Sequence, residues 1–391
     1  LATIFRRSRI FFFMNIKRKN SKGYVSLKTK MANLVPLSLE ELREFVLNVV
    51  ETLKDKPLAP KISEGPVLYI GDIHGFFANI RKAIKIAKER SVKTIVFLGD
   101  YADRGPQQLK CVLNVFYAFA RSEGMEKEFD FMEDFWKDAS DFKIVALRGN
   151  HDNMYTSCNY DFPEELEKYK EHYWKEDYGR LSTDLFDFRD LCNMYRMYST
   201  DVDYVINLIE CMYEQLPIVA TTTWNTMAIH GGIPEPVHGS PGYIIKRIKK
   251  MTAPLPNTYL TSQLVRPDDP EKEFKIGLSQ IVWNDARPRM ENKEATFAET
   301  LRGGISRGFN DKALEEFLLD VGQKRIVRAH DALMGAMAVY WDNRLIHIFS
   351  AYPYFGQIAK LAYFLEFDDG SGEFVDGNGN TIKKVDPAKA I

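Results

Sequence analysis

The hydrophobic and polar positions in the first half of the chain form short apolar runs separated by longer amphipathic segments. Apolar runs that fit buried strands occupy about 67–70, 94–98 and 143–147. Between them, the apolar spacing predicts helices over about 77–90 and 107–121. A βαβαβ order with wholly apolar strands is typical of a mostly parallel sheet covered by helices. We therefore expect an α/β fold.

Two flanking segments favour helix. Ser38 and Glu41 have the spacing of a capping box, and the apolar positions that follow predict an amphipathic helix to about Lys54. Residues 153–216 are rich in tyrosine, acidic residues and helix formers and contain no β-type run. We expect this second segment to be a helical insertion that covers one side of a functional site.

The second half of the chain changes to short strand patterns. A hairpin is predicted around Trp224 and Asn225, and another turn at Asp342 and Asn343. The predicted strands are Ile218–Thr223, Thr226–His230, Gln280–Trp283, Arg325–Ala329, Ala336–Trp341, Leu345–Ser350 and Ala359–Phe367. We expect them to form a second, mixed or antiparallel sheet, with one more hairpin at 376–380 in the tail.

Composition describes an ordinary globular protein. The 391 residues are 45% hydrophobic and 27% charged, with a net charge of −1, so no overall field attracts nucleic acid or an anionic membrane. Four cysteines, without a C-x-x-C pair, are typical of reduced thiols in a cytoplasmic protein; they are Cys111, Cys158, Cys192 and Cys211.

The N-terminal segment differs from the rest. Residues 1–30 contain nine basic residues and no acidic one. Such a tail could contact RNA or lipid, but methionines at 14 and 31 favour an over-extended reading frame that truly starts at Met31. We expect residues 1–36 to be a disordered or non-native extension. Residues 37–391 are predicted to be a single domain with a catalytic core at 67–367.

Polar residues follow the predicted strands at the point where each strand ends. The five blocks are Gly71-Asp72-Ile73-His74-Gly75, Gly99-Asp100-Tyr101-Ala102-Asp103-Arg104-Gly105, Gly149-Asn150-His151-Asp152, His230-Gly231-Gly232 and Arg328-Ala329-His330. Ligands of α/β sheets collect at the carboxyl ends of the strands. Asp, Asn and His are ligands suited to manganese, iron or zinc. Each residue alone has an ordinary structural explanation, but their joint occurrence predicts a metal site.

These blocks resemble the phosphoprotein phosphatase family of calcineurin-like metallophosphoesterases. The family patterns are Gly-Asp-x-His-Gly, Gly-Asp-x-x-Asp-Arg-Gly, Gly-Asn-His-(Glu/Asp), His-Gly-Gly and Arg-Ala-His, and they occur here in family order. Weaker similarities lie at 281–285, 302–304 and 348–356. The resemblance implies a four-layer α/β/β/α sandwich with a dinuclear metal site at the carboxyl ends of its strands.

The resemblance also implies the ligand set and the chemistry. One metal would be bound by Asp72, His74 and Asp100, and the second by Asp100, Asn150, His230 and His330. Manganese is expected first, with iron or zinc as alternatives. A hydroxide that bridges the metals would attack phosphorus directly. His151 would act as the general acid and Asp103 would orient it.

Three further residues are expected to bind the substrate phosphate. Arg104 and Arg302 would contact its oxygens, and Tyr354 matches a family tyrosine beside the site. Because Gly303 and Gly304 make the alignment uncertain, Arg307 is the reserve for Arg302.

Departures from the family pattern affect the expected substrate. Asp152 stands where eukaryotic serine/threonine phosphatases have Glu, Phe355 stands where many have Cys, and the 153–216 segment is longer than usual. They suggest a bacterial or archaeal-like member. Diadenosine polyphosphate hydrolases share the Gly-Asn-His-Asp block.

The leading hypothesis is a serine/threonine phosphatase acting on phosphoproteins, with no nucleic-acid or membrane partner. The alternatives are a dinucleoside polyphosphate or other nucleotide phosphohydrolase and a scaffold that has lost catalysis. The scaffold hypothesis predicts broken ligand positions, and the sequence shows none.

Overall fold

The computed structural model describes residues 35–136, 142–174, 203–261, 265–288, 295–356 and 358–389. Three consecutive buried strands form the start of the first sheet: β2 (Val67–Ile70), β3 (Thr94–Phe97) and β4 (Lys143–Ala146), preceded in the chain by β1 (Lys61–Ile62). These three strands are parallel, with Leu68 paired to Ile95 and Ile95 to Ile144. The predicted βαβαβ order is confirmed.

Helices cover the outer face of this sheet. They are α2 (Phe77–Glu89) and α3 (Gln108–Ser122), with α1 (Leu39–Leu53) packed on α3. In α1, the Ser38 side chain accepts the N–H of Glu41, and the Glu41 side chain accepts the N–H of Ser38, so the predicted capping box is present. Its apolar residues Leu42, Phe45 and Val49 are fully buried. Helix α2 packs on β2, and α3 packs on β4.

The second sheet contains strands from the second half of the chain. It has the order β1, β5 (Val219–Thr222), β6 (Thr226–Ile229), β10 (Arg325–Arg328), β12 (Leu345–Ile348) and β11 (Met337–Tyr340). Pairs β5–β6 and β11–β12 are antiparallel, whereas β6–β10 and β10–β12 are parallel. The predicted mixed sheet is therefore confirmed, as are the hairpins at Asn225 and at Asn343.

Two sequence predictions in this half are wrong. Residues 280–283 are the end of helix α8 (Lys272–Trp283), whose buried Phe274, Leu278, Ile281 and Val282 follow a helical period. The predicted strand at 359–367 is β13 (Ala362–Glu366), and it pairs antiparallel with β2 in the first sheet. The tail hairpin, β14 (Gly372–Asp376) and β15 (Thr381–Val385), extends that same sheet.

Side chains between the two sheets form one core, with Tyr69, Val96, Val327, Ile346 and Phe364 among its members. A second core lies between the other face of the second sheet and three helices: α7 (Tyr243–Ile248), α8 and α9 (Asp311–Val321). The layers are thus helix, sheet, sheet and helix.

The remaining elements are smaller. A short three-stranded sheet has the order β7 (Asp285–Ala286), β9 (Arg307–Phe309) and β8 (Phe297–Glu299). The described parts of the 153–216 segment are helical: α4 (Met154–Ser157), α5 (Phe162–Tyr169), a turn of π-helix at Lys170–Trp174 and α6 (Asp203–Tyr213). Residues 175–202, Cys192 among them, and the extension at 1–34 lie outside the described residues.

Cys111 is a buried free thiol. Among the helices that the structure describes, none is long and apolar enough to cross a lipid bilayer.

Candidate metal centre and active site

The loops that follow strands of both sheets meet at one edge of the sandwich. The six predicted metal ligands are buried there: Asp72, His74, Asp100, Asn150, His230 and His330. Asp72 and His74 follow β2, Asp100 follows β3 and Asn150 follows β4, while the other two histidines follow β6 and β10. Residues far apart in the sequence are therefore brought together by the meeting of strand ends.

One group of donors surrounds His74. Its Nε2 lies 3.7 Å from Asp72 Oδ2 and 3.7 Å from Asp100 Oδ2. The Nδ1 of His74 lies 2.8 Å from the carbonyl oxygen of Ala102, so the ring donates there and presents its Nε2 lone pair to the carboxylates. Burial, and then the charge of Asp100, raises the pKa of Asp72 to about 7. Two carboxylates and an imidazole in this arrangement suit a divalent cation.

A second group surrounds Asn150. Its Oδ1 lies 2.9 Å from His230 Nε2 and 2.8 Å from His330 Nδ1, and Asp100 Oδ1 lies 3.4 Å from His230 Nε2. His230 Nδ1 faces the carbonyl oxygen of Leu98 at 2.8 Å, and burial lowers the pKa of the ring. A neutral His230 that donates from Nδ1 directs a lone pair at the Asn150 oxygen, which also carries lone pairs. A cation between them would relieve that repulsion.

Several buried polar atoms at this edge have no hydrogen-bond partner. They include Asp72 Oδ2, Asp103 Oδ1, Asn150 Nδ2 and His330 Nε2. Unsatisfied buried polar atoms are rare in native proteins and need an explanation such as a bound ion. The donor types and the missing partners together fit a metal centre with Asp100 shared between the two groups.

The backbone at the site is strained. Five of its residues have a positive φ: His74, Asp100, Asp103, Arg104 and His330. Non-glycine residues in this region cost free energy, and such strain concentrates at functional sites. The neighbouring glycines permit the close packing, because a Cβ at Gly149 would overlap the Asp100 carboxylate.

Asp152 holds two of the ligand loops together, a role that the sequence reading missed. Its carboxylate accepts the N–H groups of Asp100, Tyr101 and Gly149 at 2.7, 3.0 and 2.8 Å. These bonds fix the loop after β3 against the loop after β4. The position next to His151 was the available signal, but sequence alone does not show which N–H groups a carboxylate accepts.

His151 and Asp103 form a close pair beside the ligands. His151 Nδ1 lies 2.5 Å from Asp103 Oδ2, and both side chains are buried. Burial raises the pKa of Asp103 to about 8, although the hydrogen bond from Ser157 opposes the rise. Burial, and then the charge of Arg104, lowers the pKa of His151. The geometry leaves His151 Nε2 directed toward the site.

Arg104 occupies the centre of the opening. Its guanidinium contacts His74 Nε2 at 2.9 Å, His151 Nε2 at 3.1 Å and the hydroxyl of Tyr354. It also stacks on Tyr160, whose ring lies 4.5 Å from that of His151. Because Arg104 donates to His74 Nε2, the guanidinium must move for that nitrogen to bind a cation. Tyr160 comes from the 153–216 segment, and no sequence pattern predicts its place here.

The two candidate arginines of the second half lie in different places. Arg302 Nε donates to Asp285 Oδ2 at 2.8 Å. Burial would raise the pKa of Asp285, but the charges of Arg302 and Arg328 hold it below its usual value. The reserve residue, Arg307, instead lies in β9 with its Nε 3.5 Å from Glu235. Arg302 also borders a cavity of about 310 Å³ lined by Tyr155, Tyr160 and Trp283.

A four-layer sandwich with clustered carboxylate, amide and imidazole groups at its strand ends fits the class of metal-dependent hydrolases. The chain belongs to the calcineurin-like phosphoesterases, because the family model matches residues 65–334. It is thus a metallophosphoesterase, a hydrolase acting on phosphate monoesters. The sequence resemblance to this family and the expected α/β/β/α fold are confirmed.

Relatives that the chain resembles are named as phosphatases. A provisionally named serine/threonine-protein phosphatase of Schizosaccharomyces pombe is 23% identical over 79% of this chain and 77% of its own length. The serine/threonine-protein phosphatase 2B catalytic subunit A1 of Saccharomyces cerevisiae is 24% identical over 85% of this chain, which spans only 50% of that protein. The bacterial or archaeal-like character suggested by the sequence stays a prediction.

A solved structure shares the fold. A protein serine/threonine phosphatase of Saccharomyces cerevisiae, described as similar to human phosphatase PP5, has a TM-score of 0.56 and 16% identity. The match covers 83% of this chain and 82% of that one.

Proposed function

We propose that the protein is a serine/threonine protein phosphatase that binds two metal ions, manganese first, and uses His151 as its general acid. The observation that carries the proposal is the meeting of six ligand-type side chains beside a buried His151–Asp103 pair. The relatives' names support a phosphoprotein as the substrate.

The residues divide into two ligand sets. One ion would be held by Asp72, His74 and Asp100, and the other by Asp100, Asn150, His230 and His330. Two bound cations would neutralise the phosphate and acidify a water molecule at neutral pH.

Side chains of the protein would bind the substrate phosphate. Arg104, which already lies between His74 and His151, would turn onto the phosphate oxygens with charge-assisted hydrogen bonds. Arg302 has a partly exposed side chain and would bind the same group from the side of Asp285. Tyr354 would fix Arg104 through its hydroxyl.

His151 would protonate the leaving alkoxide from Nε2. Asp103 holds the opposite nitrogen at 2.5 Å, which orients the ring. In its ionised form, Asp103 would oppose the lowering of the His151 pKa by burial and by Arg104. An alkoxide of serine or threonine is a poor leaving group, so a positioned acid is needed for this substrate class.

Turnover of a phosphoserine peptide and of diadenosine tetraphosphate, with added Mn²⁺, tests the proposal. We expect kcat/KM to be higher for the peptide. A preference for the dinucleotide would contradict the proposal and favour a nucleotide phosphohydrolase, the alternative that the Gly-Asn-His-Asp block left open. The D100N variant serves as the control for contaminating phosphatases, since it lacks the carboxylate shared by both proposed ligand sets and should be slow on both substrates.

A further inference from the structure

A buried serine lies against the His151–Asp103 pair. Ser157 is fully buried, and its Oγ lies 3.1 Å from Asp103 Oδ2 and 2.9 Å from the backbone carbonyl oxygen of His151. Both neighbours are acceptors, and a hydroxyl has one hydrogen to donate. Ser157 therefore shares its hydrogen between the carboxylate and the backbone of the two paired residues.

The local sequence places this hydroxyl. Helix α4 begins directly after the Asn150-His151-Asp152 block, and Asn153 caps it by accepting the N–H of Thr156. This single turn brings Ser157 back under His151. The contact thus depends on the short helix at the start of the insertion.

Asp103 has few other contacts that fix its carboxylate. Its backbone is strained, with a φ of 65°, and its N–H donates to Gln108 Oε1 at 2.9 Å. Oδ1 has no hydrogen-bond partner, whereas Oδ2 contacts both His151 and Ser157. Without Ser157 the carboxylate could rotate about its final bond, and His151 would lose a defined partner.

We propose that Ser157 is a positioning residue, which holds the Asp103 carboxylate and the His151 backbone so that Nε2 of His151 faces the leaving-group oxygen. The inference rests on the proposed role of His151. In that step a water-derived hydroxide forms a new P–O bond and the bond to the leaving oxygen breaks. The leaving oxygen takes the Nε2 proton, and His151 regains a proton from solvent.

The test compares two aryl phosphates in the S157A variant at saturating Mn²⁺. A nitrophenolate leaves readily without a proton, whereas a phenolate is more basic and gains more from an acid. We expect kcat on phenyl phosphate to fall about tenfold and kcat on p-nitrophenyl phosphate to fall less than about twofold, because only part of the acid's contribution is lost. KM should stay the same for both, and S157T, which keeps the hydroxyl, should restore the ratio.

Ser279 supplies a matched control. It is also a fully buried serine, but its Oγ has no hydrogen-bond partner, so S279A removes a buried hydroxyl without touching the pair. The ratio of kcat on phenyl phosphate to kcat on p-nitrophenyl phosphate in S279A should equal that of the wild type. Metal content and the unfolding midpoint, measured for every variant, separate positioning from loss of structure.

The inference is overturned if the ratio of kcat on phenyl phosphate to kcat on p-nitrophenyl phosphate is the same in S157A as in the wild type. It is also overturned if S157T does not restore that ratio. A chain that hydrolyses both aryl phosphates but no phosphoserine peptide would contradict the proposed substrate and leave the Ser157 result interpretable. The two proposals therefore fail separately.

Discussion

Two buried polar clusters lie between the same sheets at opposite ends of strands β6 and β10. The metal-site cluster is defined by Asp72, His74, Asp100, Asn150, His230 and His330. The closed cluster is defined by Tyr69, Thr226, Arg325 and Glu366. In the closed cluster, Glu366 Oε1 accepts from Thr226 Oγ1 at 2.6 Å and from Arg325 at 3.1 Å, and Oε2 accepts from Tyr69 at 2.7 Å.

The difference between the clusters lies in their hydrogen bonding. Arg325 also donates to the carbonyl oxygens of Asn343, Gly370 and Asp386, so its guanidinium is bonded on all sides. The metal-site cluster keeps unpartnered atoms on Asp72, Asn150 and His330. A polar cluster whose bonds are complete leaves no atom for a ligand to satisfy, whereas one with unpartnered ligand-type atoms can bind an ion.

The largest expected effect is at the acid beside the metal-site cluster. Replacing His151 with Asn should lower kcat on a phosphoserine peptide by about 10²–10⁴-fold, because the leaving alkoxide loses its proton donor. Metal content, measured by mass spectrometry of the purified protein, should stay at the wild-type value. A variant with nearly unchanged turnover would contradict the assignment of His151.

Arg325→Met tests the closed cluster. The substitution leaves a buried Glu366 without its cation, and we expect a loss of about 3–5 kcal/mol in the free energy of unfolding. Urea titration measures this loss, and kcat per folded molecule should not change. A double variant that also carries Glu366→Gln should lose less than the single variant. If kcat fell in parallel with stability, the two clusters would not be separable.

Metal removal should act on the metal-site cluster alone. At a free Mn²⁺ concentration of about 100 times Kd, binding at each site stabilises the folded state by about 2.7 kcal/mol. Urea titrations with Mn²⁺ and with a chelator should show this increment in the wild type and in Arg325→Met. His230→Ala should reduce it, and an undiminished increment would place the metal elsewhere.

A surface ion pair gives the smallest effect. Asp320 accepts from Lys246, Ser240 and the N–H of Gly242, and these bonds lower the pKa of its carboxyl to about 2. Since the folded pKa lies below the unfolded value, this stabilisation is present above about pH 4 and is lost as the pH falls to about 2. Solvent screening limits the loss in D320N to about 1 kcal/mol at pH 7.

Urea titrations of wild type and D320N across this pH range measure that difference. It should vanish near pH 2, and a constant difference would rule out a role for the Asp320 charge.

The sequence indicated the candidate ligands more directly than the strand pairing around them. Five of the six candidate ligands lie next to a glycine at the end of an apolar strand run, as Asp72 does beside Gly71, and His330 instead follows Ala329. The pairing of β13 with β2 could not be found, because strand partners depend on tertiary contacts between residues such as Leu365 and Leu68.

Residues 280–283 show a different limit. The apolar run Ile281–Trp283 fits a strand when taken alone, but it continues the helical spacing of Phe274 and Leu278. The hydrogen bond from Ser157 to Asp103 could not be predicted from the sequence either. No sequence pattern indicates which acceptor a buried hydroxyl will contact.

Anomalous diffraction from crystals grown with Mn²⁺ tests the central claim most directly. We predict two anomalous peaks per chain with the Asp100 carboxylate between them, each peak within about 2.0–2.3 Å of an Asp100 oxygen or a neighbouring ligand atom. The D100N variant should lose at least one peak. Peaks away from these six side chains, or none at saturating Mn²⁺, would contradict the account.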